Sequence, residues 1–309
     1  MAEDLDNQID QDFTPIIRVY KSGRIERMRG TEVLPPSTEP STGVSSKDLL
    51  IDPSTGLSVR LYLPAGHLHP DPNLPLLIYF HGGRFCIHST SSPRYHKYLN
   101  ALVARSNITV VSVDYRLAPE HPLPAAYDDS WAALRWAAGL ADFKHVFIGG
   151  NSAGANIAHR MAMIAGNEGS DLGIKIKGMA LSHSYFWGRD ALEGESDDPK
   201  FREEMERLWR FVCPSTTEGT DDVWANPLRE PAERLARLGC EKVMVWVAEK
   251  DIFRARGVAY CETLKKSGWN GDVKLVEHQG QGHGFHLENP ECEQALELLE
   301  DLNGFLNQE

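Results

Sequence analysis

Cysteine is scarce in this sequence, and its five copies form no recognisable pair. They are widely separated, odd in number and without a C-x-x-C motif. A disulfide framework needs paired cysteines, and a structural zinc site needs ligands at short, regular spacings. We therefore expect free thiols or small buried apolar side chains, with no disulfide and no metal. The cysteines are Cys86, Cys213, Cys240, Cys261 and Cys292.

Two further absences concern positive charge and long hydrophobic runs. The 309 residues include 32 basic and 44 acidic side chains, for a net charge of −12. An acidic surface repels nucleic acid and anionic membranes, so neither is expected as a main partner. No stretch of about 18 apolar residues is present, so we expect no transmembrane helix. The acidic start of the chain also lacks the basic and apolar regions of a targeting segment, which predicts a cytoplasmic location.

The sequence does contain an alternation of short apolar runs and amphipathic stretches. Its 41% content of hydrophobic residues suffices for a sizeable core. Apolar runs of strand length that alternate with helical patterns are typical of a mainly parallel sheet with helices on both faces. The sequence therefore predicts an α/β fold. The predicted strands are residues 58–64, 74–81, 108–115, 145–150, 174–182, 242–251 and 272–278, and the predicted helices are roughly 94–105, 124–139, 153–166, 256–267 and 290–306.

Two regions interrupt this alternation. Residues 1–45 are polar and proline-containing, which predicts an extended loop with a short hairpin at Ser22 and Gly23. Residues 189–225 are charged and poor in strand signal, but they contain "DPKFREEMERLWRFVCP", which is typical of an inserted helix. We interpret residues 1–309 as a single domain in which 1–45 and about 189–225 contribute a lid or helical cap.

The stretch "VFIGGNSAGANIAHRMA" is typical of a strand that turns sharply into a helix. Gly150-Asn151-Ser152-Ala153-Gly154 matches G-x-S-x-G, the nucleophile elbow, in which a tight turn raises the serine oxygen above the sheet edge. The small residues on either side let strand and helix pack closely. The same residues also fit a glycine-rich turn with Ser152 as an ordinary helix N-cap. The pattern alone leaves both interpretations open.

Partners for a nucleophilic serine follow later in the chain. Asp251 ends the strand-and-turn stretch "MVWVAEKD", and His283 lies in a glycine-rich loop just after the next predicted strand. The order Ser152, Asp251, His283 is that of α/β-hydrolases, with each residue beyond the carboxyl end of a strand, where catalytic groups collect. His286 is the alternative base, but the "GQGHG" turn favours His283.

A glycine pair supplies candidates for stabilising an oxyanion. The predicted strand in "LIYFHGGRF" is followed by His81, Gly82 and Gly83. Glycines let backbone N–H groups approach a substrate closely, so the N–H groups of Gly82, Gly83 and Ala153 are predicted to form an oxyanion hole. His81 in the same loop is a candidate either for a direct role in catalysis or for bracing the loop.

Taken together, the motifs resemble those of the plant carboxylesterase family. They are "HGGRF", "VDYRLAPEHPLPAAYDD", "GGNSAGAN", "VAEKD" and "GHGFHLENP". This family is the branch of the hormone-sensitive-lipase-like α/β-hydrolases that also contains the gibberellin receptors and the 2-hydroxyisoflavanone dehydratases. The likeness covers roughly residues 13–307.

The resemblance implies both a fold and a reaction. The fold is an eight-stranded, mainly parallel α/β-hydrolase sheet with an N-terminal lid segment. The reaction is hydrolysis of small-molecule carboxylic esters through an acyl-enzyme, without a cofactor. Ser152 is then the nucleophile, Asp251 the acid and His283 the base, with Gly82, Gly83 and Ala153 as the oxyanion hole. We expect a monomer or a weak homodimer.

Three departures from the family pattern bear on substrate binding. The usual "HGGG" reads "HGGR", with Arg84 in fourth place. If that position has positive φ, arginine strains the loop, whereas with negative φ it costs little and projects a cation near the pocket. Such a cation favours anionic substrates, and the alternative is a side chain that points into solvent. Asn151 replaces the common aspartate, and the link at residues 137–142 is short. The residues predicted to contact substrate are Arg84, Phe85, Tyr185 and Phe285.

Two other functions remain open on the same scaffold. A dehydratase or an alkaloid-type cyclase would use proton transfer without acylating the serine. The resemblance implies that dehydratases commonly carry threonine in place of Ser152, which disfavours that alternative but not a cyclase. A small-molecule receptor is a third possibility, but the gibberellin receptors lose the histidine that is retained here as His283.

Overall fold

The computed structural model describes residues 5–167 and 173–308 of the chain. Six strands at the start of the described chain precede an alternation of helices and strands. In chain order the elements are β1 (Ile9–Phe13), β2 (Ile17–Tyr20), β3 (Ile25–Arg27), β4 (Ser45–Asp52), β5 (Leu57–Leu63), β6 (Leu76–Phe80), α1 (Pro93–Ser106), β7 (Thr109–Asp114), α2 (Ala125–Ala138), β8 (Val146–Asn151), α3 (Ala153–Asn167), β9 (Ile176–Ser182), α4 (Pro199–Val212), α5 (Ala232–Leu235), β10 (Lys242–Ala248), α6 (Arg254–Lys266), β11 (Asp272–His278), α7 (Phe285–Glu288) and α8 (Glu293–Asn307).

Eight strands of the described chain form one mostly parallel sheet, in the order β11-β10-β9-β8-β6-β7-β5-β4. Strand β5 pairs antiparallel with both of its neighbours, and the other pairings are parallel. Because parallel strands enter the sheet from one side, the chain segments that follow β6, β8, β10 and β11 all leave at the same edge. This arrangement confirms the predicted eight-stranded α/β-hydrolase sheet.

Helices cover both faces of the sheet, as predicted. In β6, Ile78 belongs to a buried apolar cluster that includes side chains of α2, α3, α4 and α6. Its neighbour Leu77 belongs to a second cluster, which includes side chains of α1 and α8. Side chains alternate between faces along a strand, so a strand covered on both sides must be apolar at successive positions. For this reason "LLIYF" is an unbroken apolar run.

The start of the chain has more strand than the sequence predicts. The expected hairpin forms from β2 and β3, but β1 joins it to make a three-stranded antiparallel sheet. Strand β4 was also missed, and it forms the edge of the main sheet beside β5. Both missed strands are only partly buried, so neither shows the apolar alternation that marks a strand in a sequence.

The charged second region contains the helix that the sequence predicts, α4. Its buried side chains Met205, Leu208, Trp209 and Val212 recur at spacings of three and four residues and form one apolar face. The helix packs on the N-terminal sheet. The rings of Phe13 and Phe211 lie 4.8 Å apart.

Two further sequence expectations concern cysteine and membrane spans. All five cysteines are free, as expected, and four of them are buried. Within residues 5–167 and 173–308, no helix has both the length and the apolar character needed to cross a membrane.

Candidate active site

Ser152 occupies the sharp turn between β8 and α3. Its φ of 54° lies in the left-handed region, which is strained for a residue with a side chain. The two glycines of the motif make this turn possible. A Cβ on Gly150 would lie 2.5 Å from the Phe80 carbonyl oxygen, and a Cβ on Gly154 would clash with the same oxygen. The predicted close approach of strand and helix is therefore present.

Backbone hydrogen bonds hold the turn in place. The Ser152 N–H donates to the Ser182 carbonyl over 2.9 Å, and its carbonyl accepts from the N–H of Tyr185 over 3.1 Å. Both partners lie at or just beyond the end of β9, so the neighbouring strand fixes Ser152 from the side. The serine stands immediately before the first turn of α3, where the free N–H groups create a positive potential.

His283 is paired with Asp251, as the sequence predicts for a base and its acid. The two residues come from the loops after β11 and β10, and His283 Nδ1 lies 2.8 Å from Asp251 Oδ2. The Asp251 side chain is buried, while that of His283 is 37% exposed. The other carboxylate oxygen of Asp251 accepts from the N–H of Phe253 over 3.1 Å. The carboxylate is thus fixed, and it holds the imidazole from the side opposite to solvent.

The alternative base, His286, is placed differently. It is buried, its ring stacks on that of His183 at 5.2 Å, and among the described residues neither ring nitrogen has a hydrogen-bond partner. Burial lowers the pKa of His286 to about 3. A neutral histidine without an acid to orient it is a poor base, so the geometry favours His283.

Ser152 and His283 line one cavity of about 950 Å³. Its walls come from six separate parts of the chain, which meet at the carboxyl edge of the sheet. They are Ile16 and residues within 28–32, 83–97, 151–152, 250–253 and 283–290. The structure therefore brings together the serine and the histidine that the sequence selects, with Asp251 behind the histidine.

The glycine loop after β6 reaches the same cavity. The N–H of Gly82 donates to Tyr95 Oη over 2.9 Å, so it is not directed at a ligand in this conformation. Gly83, at φ 129°, has a backbone that favours glycine. In the described part of the chain, no acceptor faces the N–H of Gly83 or that of Ala153. Two of the three predicted oxyanion donors are thus uncommitted.

His81 contacts the loop rather than the cavity. Its ring is buried and stacks on Tyr115 with 4.3 Å between centroids. Its Nδ1 lies 2.8 Å from the Gly82 carbonyl oxygen, and burial lowers the pKa of His81. A neutral ring bonded to the loop backbone favours the bracing role over a direct role in catalysis.

Arg84 follows the glycines in a strained conformation. Its φ is 55° and that of Phe85 is 60°, both in the left-handed region that favours glycine. The condition under which arginine strains this loop is therefore met. The side chain is half-buried, and Arg84 lines the cavity.

The structure places the other three predicted substrate contacts in the core behind the cavity. Phe85 packs edge-on against Tyr185 at 6.0 Å, and Tyr185 lies 5.0 Å from the ring of Phe253. Phe285 packs between His183 and His278. All three are at most 6% exposed, and none lines the cavity. These three aromatic side chains belong to the core, where large aromatic residues are most often found.

Several lining residues were missed by the sequence reasoning. Lys250, Ile252 and Phe253 line the cavity, and their position beside Asp251 was an available signal. Residues 28–32 also line it, although they are far from every motif. They reach the site because Arg27 forms a two-point ion pair with Glu120 and donates to the Cys86 carbonyl over 2.8 Å. No pattern in the sequence predicts these contacts of Arg27.

Comparison with known proteins gives concordant similarities. A family model described as the alpha/beta hydrolase fold matches residues 77–287. Probable carboxylesterase 2 of Arabidopsis thaliana is 46% identical, over 99% of each chain. The 2-hydroxyisoflavanone dehydratase of Glycyrrhiza echinata is 40% identical, over 97% of this chain and 96% of the relative. Among solved structures, an esterase of Pyrobaculum calidifontis superposes with a TM-score of 0.69 and 26% identity, over 85% of this chain and 84% of that one.

Proposed function

Because the chain belongs to the α/β-hydrolase family of the plant carboxylesterases and is a carboxylic ester hydrolase, we propose that it cleaves small-molecule esters through an acyl-enzyme on Ser152. One observation carries the proposal. A serine on a strained strand-to-helix turn lines the same cavity as a histidine whose Nδ1 is bonded to a buried carboxylate. This is the arrangement that converts an unreactive hydroxyl into a nucleophile.

The first half of the reaction forms the acyl-enzyme. His283 Nε2 takes the proton of Ser152 as Oγ attacks the ester carbonyl carbon, and the carbonyl oxygen becomes an oxyanion. The C–O bond to the alcohol then breaks, and the alcohol leaves with the proton from His283. Asp251 keeps the proton of the neutral ring on Nδ1 and stabilises the imidazolium that forms.

The second half releases the acid. A water molecule attacks the acyl carbonyl while His283 accepts one of its protons, and that proton returns to Ser152 Oγ as the acyl–oxygen bond breaks. The net change is addition of water across the ester. No redox step and no cofactor enters this sequence.

We assign the oxyanion hole to the N–H groups of Gly83 and Ala153, which face no protein acceptor in the described residues. The N–H of Gly82 instead bonds to Tyr95 Oη, which also donates to Asn151 Oδ1 over 3.4 Å. Gly82 is needed for a different reason, since a Cβ there would lie 2.7 Å from the Asn151 carbonyl oxygen. Its role in this proposal is to let the loop pack beside the elbow.

The N-terminal segment and residues 189–225 form, in this proposal, a cap on a single catalytic domain. Phe13 and Trp209 belong to the same buried cluster as the strands of the main sheet. Arg207 donates to the Asp12 carbonyl over 2.6 Å, which joins the two segments. The cap shapes access to the cavity through residues 28–32.

Covalent labelling tests the nucleophile directly. A fluorophosphonate reacts with a serine activated by an adjacent base, so the wild type should gain one adduct by intact mass and lose esterase activity in proportion. Ser152→Ala should not be labelled at equal concentration. Ser184→Ala is the matched control, because Ser184 is buried in the neighbouring loop, and it should label like the wild type. Labelling of Ser152→Ala at the wild-type rate would refute the assignment.

A second candidate function is dehydration on the same scaffold. The 40% identity to a 2-hydroxyisoflavanone dehydratase favours it. Such an elimination needs proton transfer by His283 but no acyl-enzyme. Incubation with a 2-hydroxyisoflavanone separates the two functions. Isoflavone formation at a rate unaffected by Ser152→Ala, together with no ester hydrolysis by the wild type, would establish dehydration in place of hydrolysis.

A further inference from the structure

The cavity that contains Ser152 is positively charged, although the whole chain carries a net charge of −12. Among the described residues that line it, basic side chains outnumber acidic ones. The basic ones are Arg29, Arg84, Arg94, Lys97 and Lys250, and the acidic ones are Glu32 and Glu288. A cleft lined by one sign of charge concentrates ligands of the opposite sign. The cavity therefore favours anionic ligands, although the net charge of the whole chain is negative.

Arg84 is distinguished from the other cations by its surroundings. Arg94 is neutralised by Glu288, with 2.9 Å between Nη2 and the carboxylate. Arg29, Lys97 and Lys250 are exposed, so water and salt screen their charges. Arg84 is half-buried and, within residues 5–167 and 173–308, has neither an ion pair nor a hydrogen bond from its guanidinium. It is thus the least solvated unpaired charge on the cavity wall.

The backbone at Arg84 points to the same conclusion. The left-handed conformation is unfavourable for any residue with a Cβ, and glycine would occupy it without strain. Among the described residues, no hydrogen bond or ion pair of the guanidinium offsets that strain. Residues held in such strained conformations cluster at functional sites. The charge of Arg84 also acts behind the cavity, because burial raises the pKa of the Tyr185 hydroxyl and Arg84 partly opposes that rise.

Two helix N-termini add to the positive potential. Ser92 and Pro93, at the start of α1, line the cavity, and the first turn of that helix carries no acidic residue. Helix α3 begins beside Ser152. Helix N-termini favour anions through their free N–H groups. An anionic ligand would meet Arg84 and these two dipoles together.

We propose that the substrate is an ester that also carries a carboxylate, and that Arg84 binds this carboxylate and sets the specificity. The inference rests on the proposed esterase function and narrows it to a substrate class. A guanidinium binds a carboxylate through two parallel hydrogen bonds, and it remains charged at all physiological pH values. Arg84 is then a specificity-determining residue that touches substrate but not the reacting carbonyl.

Matched pairs of charged and neutral esters test the proposal. One pair has the charge on the alcohol side, 4-acetoxybenzoate against 4-acetoxybenzamide. The other has it on the acyl side, monomethyl glutarate against its primary amide. For at least one pair, Arg84→Gln should lower the acid-to-amide ratio of kcat/KM by about tenfold, mainly through KM, because a charge-assisted hydrogen bond has roughly that value. Arg84→Lys should recover part of the ratio.

Arg135→Gln is the control for the loss of one positive charge. Arg135 is exposed on α2 and does not line the cavity. The Arg135→Gln variant should leave the acid-to-amide ratio of kcat/KM unchanged for both pairs of esters. Ratios for Arg84→Gln that equal those of the wild type in both pairs would overturn the proposal.

Binding to a variant that cannot turn over separates this proposal from the proposed function. Calorimetry with Ser152→Ala should show tighter binding of the acid than of the amide, and the difference should vanish in Ser152→Ala/Arg84→Gln. If the wild type hydrolyses none of the four esters but this difference holds, the esterase function fails and the anion site stands. If the difference is absent while hydrolysis proceeds, the esterase function stands and the anion site fails.

Discussion

In the proposed mechanism, Asp251 orients His283 and fixes its tautomer. Its buried carboxylate is bonded to Nδ1 of the ring, and His283 lines the cavity. Asp251→Asn keeps the size of the side chain but favours the wrong tautomer of the histidine, so kcat for a neutral ester should fall by roughly 10³–10⁴. Steady-state kinetics with a circular-dichroism check of folding measures this. A loss of less than tenfold in a folded variant would contradict the assigned role.

Arg84 stands where glycine is the less strained residue. Arg84→Gly should therefore raise the free energy of unfolding by about 0.5–1 kcal/mol, since relief of a left-handed Cβ exceeds the entropy that glycine adds to the unfolded chain. Guanidinium denaturation measures the change.

Arg135→Gly is the matched control for Arg84→Gly. It places the same substitution in an exposed position of α2, where glycine lowers stability by up to about 1 kcal/mol. Destabilisation of similar size in both variants would show that the backbone at Arg84 is not strained.

For single residues, the sequence was a better guide to the candidate catalytic side chains than to the positions of the aromatic side chains around them. Ser152, Asp251 and His283 could be selected from the sequence because motif spacing and chain order leave few candidates. The structure pairs Asp251 with His283. The burial of Phe85 and Tyr185 was not predictable, because an aromatic residue beside a motif fits a pocket wall and a core equally well. Only the packing of α4 and the loop at Phe253 decides between the two positions.

Among the elements, the elbow has the tightest packing constraint. A Cβ at Gly154 would clash with the Phe80 carbonyl oxygen, a backbone atom of β6 that cannot move alone. Gly154→Ala should therefore lower the free energy of unfolding by about 2–3 kcal/mol or more, because overpacking forces a backbone shift. Thermal or denaturant unfolding measures it.

Gly304→Ala is the matched control for the elbow. Gly304 lies in α8 with nothing within 4 Å of its ideal Cβ position. Alanine should stabilise that helix by roughly 0.5–1 kcal/mol. The two substitutions should change the free energy of unfolding in opposite directions, and equal changes would contradict the close-packed elbow.

Which strands were predictable depended on the pattern of apolar residues that burial imposes, and the edge strand β11 was predicted because its burial still partly alternates. The inner strands β6, β8, β9 and β10 are covered on both faces, so their runs of apolar residues identify them. Strand β4 is at the edge, and its burial pattern shows no clean alternation. Its pairing with β5 comes from backbone hydrogen bonds, which are independent of side-chain hydropathy.

For the molecule as a whole, buried neutral histidines predict sensitivity to acid. Burial lowers the pKa of His159 and of His286 to about 3, below the value of roughly 6.5 in an unfolded chain. Between these two values the unfolded chain binds protons that the folded chain does not. Stability therefore falls as pH falls below about 6.5, by up to roughly 1.4 kcal/mol per pH unit for each histidine.

Removing one of these histidines should flatten that pH dependence. His286 packs against His183, Tyr98 and Phe285, a mostly uncharged environment that accepts an aromatic ring. His286→Phe should lose about 1–2 kcal/mol less stability than the wild type between pH 7 and pH 5. His69→Phe, at an exposed position, should follow the wild type. Identical curves for wild type and His286→Phe would contradict the neutral buried state of His286.

The central claim is that Ser152 carries an acyl group during ester hydrolysis. The most direct measurement is hydrolysis of p-nitrophenyl acetate, butyrate and octanoate by the wild type and by Ser152→Ala, with equal folding verified by circular dichroism. We expect wild-type turnover that falls to the background rate in the variant, with a chain-length preference that reports the acyl pocket. Wild-type turnover no greater than that of folded Ser152→Ala would contradict it.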